Sequence, residues 1–190
     1  MNQQAIIVVS GLPRSGTSMM MKMLNAGGIE AVTDNLRTAD EDNPKGYFEL
    51  EKVKQLDKDS SWLGECRGKV VKIISMLLKP LPATEQYKII FMRRKMDEIL
   101  ASQRQMLIRR GQPTNTVPDE KMAEMFTKHL RDIEAFIAGQ ANMQCLYISY
   151  NEVLENPAAH IEMINRLLGN QLDTVAMLEV VDKTLHRQRK

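Results

Sequence analysis

Residues 5–9 form an unbroken apolar, mostly β-branched run that stops at Ser10-Gly11-Leu12-Pro13-Arg14-Ser15-Gly16, and a long apolar segment begins at Thr17. A short apolar run without polar alternation, closed by glycine and proline, predicts a strand over 5–10 that is buried on both faces. The segment that follows carries Met19, Met20, Met21, Met23 and Leu24. It predicts a helix over 17–26, apolar nearly all round and packed between a sheet and another layer. Strand, glycine loop and helix in that order gather backbone N–H groups and the positive end of a helix dipole around one point. That is the geometry of a phosphate cradle.

The rest of the chain reads as further strands and helices in alternation. Gly27-Gly28 ends the first helix, and 29–33 predicts a short strand. Residues 34–46 are polar and turn-rich, hence a loop, and 47–61 reads as a helix of mixed periodicity. Strands are predicted at 69–74, 87–92 and 145–149, and helices at 96–109, 118–138, 157–168 and 172–185, with a basic tail over 186–190. Gly111 and Pro113 stop the helix that begins at Met96, and 111–117 is a long loop. Such alternation predicts a three-layer α/β/α fold with a central, mainly parallel sheet. Ligands of such sheets bind at the carboxyl ends of the strands, where the loop at Gly11 and the pair Arg93-Arg94 both fall.

Composition narrows the options. The 190 residues fit one domain, 1–190, large enough for a real core. With 26 basic against 24 acidic residues, the net charge of +2 gives no bulk argument for nucleic acid or a membrane surface. Two cysteines, Cys66 and Cys145, stand outside any CxxC or Cys/His cluster and read as thiols of a reducing compartment. The apolar run at the N-terminus is too short for a signal peptide, and no stretch approaches a membrane span, so a cytoplasmic location is expected. Fourteen methionines read as flexible core filler.

The loop has the spacing of a Walker A motif at Gly11 and Gly16, with Ser18 in the Ser/Thr slot, but Thr17 fills the lysine slot. A triphosphate enzyme needs that lysine and its Mg²⁺, and the strands ending Ile73-Ile74-Ser75 and Met92-Arg93-Arg94 supply no Walker B aspartate. A nucleotide or small-molecule kinase is therefore the disfavoured alternative. Pro13-Arg14-Ser15-Gly16-Thr17-Ser18 resembles instead the 5′-phosphosulfate loop of the P-loop sulfotransferases. The resemblance implies that Arg14 contacts the bridging oxygen or sulfuryl group and that Ser15, Gly16, Thr17 and Ser18 bind the 5′-phosphate. The segment 89–102 is similar to that family's 3′-phosphate segment, which makes Arg94 and Ser102 the expected pair. Residues 147–157 resemble a further family segment that would set Tyr150 against adenine. The donor so implied is 3′-phosphoadenosine 5′-phosphosulfate, and no metal should be needed.

The other wall of the site departs from the family. Residues 68–74 resemble the strand that carries a catalytic histidine in cytosolic sulfotransferases, but Ile74 occupies that position. Met19 stands where those members place an adenine-stacking tryptophan. His129, His160 and His186 read as surface or capping residues. A neutral hydroxyl must lose its proton as it attacks sulfur, so a base is still required. Residues 43–49 resemble the Gly-Tyr-Phe-Glu segment of small bacterial sulfotransferase-like proteins, and Glu49 is the candidate base, against an exposed helix-start glutamate. Asp40, Glu41, Asp42 and Glu51 are lesser candidates. Lys72 reads either as a second cation on the sulfuryl group or as a snorkelling strand lysine. Arg187 and Arg189 either close over the 3′-phosphate or belong to a frayed end. The expected reaction is transfer of a sulfuryl group to a hydroxyl or amine of a small-molecule or peptide acceptor. A non-catalytic module that binds the donor or its product stays open beside it.

Overall fold

β1 (Ile6–Gly11) is buried at every position, which accounts for its unbroken apolar run. It pairs in parallel with β2 (Val70–Lys72) on one side and β3 (Tyr87–Arg93) on the other, and β4 (Met143–Ser149) lies beyond β3. The sheet order is β2-β1-β3-β4. The computed structural model describes residues 4–34, 36, 46–114 and 116–182.

Alternation along the strands sends side chains to two separate cores. Ile7, Val9, Val70, Ile90, Met92 and Ile148 face one side. There α1 (Thr17–Ala26), α4 (Tyr150–Glu155), α5 (Pro157–Leu168) and α6 (Thr174–Val180) cover them. Ile6, Val8, Val71, Ile73, Ile89 and Phe91 face the other. They pack under Ile133 and Ile137 of α3 (Asp119–Ala138) and under Val53, Leu56, Trp62 and Leu63. The three-layer α/β architecture expected from sequence is present, with every strand parallel. α2 (Met96–Arg109) follows β3 and lies beside α3. The chain runs from β1 to β2 on one side and then to β3 on the other, so the order switches at β1, directly above the glycine loop.

Several local expectations are corrected. Residues 47–61 are not a helix. Gly46 at φ 88° and Phe48 at φ 51° break any helical path, Leu50 is extended, and only 3₁₀ turns at Glu51–Gln55 and Ser61–Cys66 follow. The strand expected at 29–33 shrinks to a single bridge between Ala31 and Val70 at the outer edge of β2. β2 itself ends at Lys72, because Ile74 turns the chain into a 3₁₀ turn at Ser75–Leu77. The helix expected over 172–185 is α6, capped by the Asp173 carboxylate accepting from the Ala176 N–H at 2.9 Å and closed by extended backbone at Val181. α4 was not foreseen: six residues are too few to show periodicity, and its cap is the Ser149 hydroxyl. Most of the loop 34–46, with Asp40, Glu41 and Asp42, lies outside the described residues, as do Asn115 and the tail from residue 183 with His186, Arg187 and Arg189.

The turn after β2 is clamped to α3: the Oγ of fully buried Ser75 lies 2.9 Å from His129 Nε2. Burial, and then the charge of Lys79, hold the His129 imidazole below its ordinary value of 6.5. The unfolded chain therefore takes up this proton first on acidification. The residue's contribution is complete above about 6.5 and is lost as pH falls toward the folded value. Thermal unfolding followed from about pH 8 to about pH 5 should show a loss of stability in that window that His129→Gln reduces. An identical acid profile for the variant would contradict this account.

Candidate functional site

The loop after β1 is built for close approach. A Cβ on Gly11 would stand 2.6 Å from both the Met92 carbonyl oxygen and Ser15 Oγ, and one on Gly16 would stand 2.4 Å from the Tyr150 ring. Gly11 and Gly16 also hold φ 141° and 96°, so both positions require glycine. Between them Arg14 takes φ 70°, unusual for a residue with a side chain. Gly16 hands the chain to α1, whose start no side chain caps, so its amides and dipole face the loop. Ser15 is 1% exposed, and its buried hydroxyl is unpartnered among the described residues. Buried hydroxyls are ordinarily bonded. An uncapped helix start, an orphaned hydroxyl and an adjacent guanidinium form a donor set that fits a phosphate group.

Two segments distant in sequence meet on this loop. Arg14 Nε donates to Ser102 Oγ at 2.9 Å across 88 residues, and Arg94 Nη1 donates to the Arg14 carbonyl at 3.0 Å across 80. The Arg94 guanidinium lies 4.5 Å from the centroid of the Tyr150 ring, which itself packs against Gly16. Tyr150 is thus buried beneath the loop, and burial raises its phenol above the ordinary range. Sequence reasoning missed the next partners. Arg94 Nε donates to Glu98 Oε2 at 2.8 Å, and Asn151 Nδ2 donates to Glu98 Oε1 at 2.8 Å. The signal was there, since Arg94 and Glu98 stand four apart at a helix start.

The second cluster lies at the end of β2. Lys72 is paired with Val9 in the sheet, and its ammonium donates to the Tyr47 carbonyl and lies 3.5 Å from Glu49 Oε1. The Thr33 hydroxyl donates to the Glu49 carbonyl at 2.9 Å, and the Asp34 N–H reaches the same oxygen at 3.3 Å. The Asp34 carboxylate in turn accepts from the Glu51 and Leu36 amides, which hold it below its ordinary value. Residues 46–50 are therefore strapped between two anchors, and the strained Phe48 sits within the strap, next to Glu49. Glu51 is exposed and pairs with Lys54. His160 lies on α5 within reach of Asn156 O and Glu152. Cys66 and Cys145 are free, and burial raises both thiols, that of Cys145 to about 11. No helix among the described residues is long and apolar enough to cross a membrane.

Comparisons with known proteins bear on this geometry. Several solved structures share the fold at low sequence identity. Sulfotransferase STF1 from Mycobacterium tuberculosis superposes with a TM-score of 0.61 at 19% identity, over 93% of this chain and 71% of that one. Mouse sulfotransferase SULT7A1, solved with PAP, gives 0.59 at 17%, over 93% and 61%. The sulfotransferase domain of the curacin biosynthetic pathway gives 0.55 at 14%, over 96% and 79%. No curated protein sequence matches the chain. The sequence pattern of the sulfotransferase family matches residues 30–174, a span that contains Glu49, Lys72, Arg94, Ser102 and Tyr150 but begins after the glycine loop. That match covers most of the chain, and the chain accordingly belongs to the sulfotransferase family.

Proposed function

We propose that the protein moves a sulfuryl group from 3′-phosphoadenosine 5′-phosphosulfate to an acceptor hydroxyl or amine by in-line displacement. The observation that carries the reading is the junction at Arg14. The residue expected at the sulfuryl end is hydrogen-bonded to both residues expected at the 3′-phosphate end. The loop that suits one phosphate and the pair that suits another thus form one surface, as a bisphosphorylated nucleotide requires. That mouse SULT7A1 was solved with PAP agrees with this.

The donor supplies an activated sulfuryl group whose leaving group is a phosphate. In this reading the amides at the start of α1, with the Ser15, Thr17 and Ser18 hydroxyls, hold the 5′-phosphate at Gly16. Arg14, charged at every accessible pH, stabilises the negative charge that builds on the departing oxygen and so acts more on the transition state than on the ground state. Arg94 and Ser102 bind the 3′-phosphate. Tyr150 fixes the Arg94 plane beneath the loop, and its expected place against adenine belongs to the same reading. On the opposite wall the Glu49 carboxylate takes the acceptor proton as the new bond to sulfur forms, and the Lys72 ammonium adds positive charge beside it. Backbone strain at Phe48 supports Glu49, because strain of this kind persists where a neighbouring group must be held in place.

Titration calorimetry with adenosine 3′,5′-bisphosphate should give binding that falls at least about tenfold in Arg94→Ala or Ser102→Ala, a loss of one or two charged hydrogen bonds. Equal affinity of the wild type for adenosine 5′-phosphate would contradict the donor assignment. Sulfuryl transfer to a panel of phenols, alcohols and amines should fall roughly 10²- to 10⁴-fold in kcat for Glu49→Gln, with bisphosphate affinity unchanged. Unaltered turnover would remove Glu49 from the base role. Bisphosphate binding without transfer to any acceptor would mark a binding module.

A further inference from the structure

Glu98 is a carboxylate in an unusual place: its side chain is 2% exposed, and the Arg94 side chain it pairs with is 8% exposed. It stands in the first turn of α2, where the helix dipole favours a negative charge. Each of its oxygens has a different partner. Oε2 accepts from Arg94 Nε, and Oε1 accepts from Nδ2 of Asn151, the residue that follows Tyr150. The carboxylate therefore grips both the guanidinium and the backbone segment that presents the ring lying over it. With Nε held by Glu98, Nη1 by the Arg14 carbonyl and one face by Tyr150, the guanidinium has a single orientation left.

We infer that Glu98 is a positioning residue that makes Arg94 selective for a 3′-phosphate, by fixing the guanidinium between Asn151 and the Arg14 carbonyl. The inference rests on the donor reading above and goes beyond it, because Glu98 touches no part of the nucleotide in this scheme. Its negative charge also cancels that of Arg94, so the pair attracts anions weakly in general. What remains is directional: the N–H groups that Glu98, Arg14 and Tyr150 leave available meet an oxygen only in one position. A fixed fork of donors distinguishes a phosphate at the 3′ position from its absence better than a mobile cation does.

The substitution Glu98→Gln tests this with the shape retained. A glutamine amide offers one acceptor and one donor where the carboxylate offered two acceptors. Either Arg94 Nε or Asn151 Nδ2 then faces another N–H, and the grip opens on that side. The readout is the ratio of affinities for adenosine 3′,5′-bisphosphate and adenosine 5′-phosphate, measured by calorimetry on the full chain. A uniformly loosened fold lowers both affinities and leaves the ratio alone. In Glu98→Gln the ratio should fall about tenfold, through the bisphosphate alone, the lost alignment outweighing the net positive charge that neutralising Glu98 leaves on Arg94. The double variant Glu98→Gln/Asn151→Asp restores the match, because the new carboxylate accepts from the glutamine amide while the glutamine oxygen accepts from Arg94. It should recover most of the ratio. An unchanged ratio in Glu98→Gln, a parallel fall of both affinities, or no recovery in the double variant would each overturn the inference while the donor reading stands. A wild type with no preference for the bisphosphate would overturn both.

Discussion

One guanidinium, that of Arg94, is shared by three parts of the chain that lie far apart in sequence: the loop after β1, the start of α2 and the start of α4. Buried ion pairs contribute little net stability, because desolvating both charges offsets most of their attraction. Removing one partner is another matter and costs roughly 3–5 kcal/mol, since the survivor stays buried and unpaired. An interaction of this kind is weak as glue and strong as a constraint. It leaves the three segments one relative arrangement. The Tyr150 ring lies between the guanidinium and Gly16, where a Cβ would stand 2.4 Å from it.

The parallel sheet explains why those segments meet at all. Every strand ends at the same edge, so the four strand ends at Gly11, Lys72, Arg93 and Ser149 deliver the loop, the strand lysine, Arg94 and Tyr150 to one rim. The register sharpens this, with Gly11 beside Met92 and Arg93 beside Ser149. Because both faces of β1 are buried under separate cores, the rim cannot shift without disturbing either. A one-residue slip of β1 would exchange its two sets of apolar side chains between those cores.

What was legible in the sequence follows the same division. β1, β3 and α1 read correctly because their apolar runs are long and bounded by glycine, proline or arginine, so local pattern and tertiary burial agree. Arg14, Arg94 and Ser102 were legible because they stand in motifs, and the fold brings those motifs into contact. The segment 47–61 was not legible. Its apolar residues Tyr47, Leu50, Val53 and Leu56 imitate a helical spacing, while the left-handed backbone at Phe48 lies among anchors at Thr33, Asp34 and Lys72 that no local window contains. Glu98 was passed over for a related reason. A glutamate in the first turn of a helix reads as a solvated charge, yet this one is buried and bonded to Asn151, which α4 brings from 53 residues away.

The two walls of the site are held by different physics. The side of Arg14, Arg94 and Tyr150 rests on glycine geometry, a buried ion pair and a guanidinium over a ring, all at the sheet edge. The side of Glu49 and Lys72 is a strap whose hydrogen bonds include those from the Thr33 hydroxyl, the Asp34 amide and the Lys72 ammonium. Such bonds contribute about 1 kcal/mol each. Left-handed backbone at a bulky residue such as Phe48 costs on the order of 1–3 kcal/mol. Bonds of that size offset the cost, and burial of Tyr47 with Phe48 packed on the core adds to the hold on the strap. The two sides thus differ in span: the Arg14 junction ties together segments 88 and 80 residues apart, whereas the strap is held by groups 16 and 25 residues away.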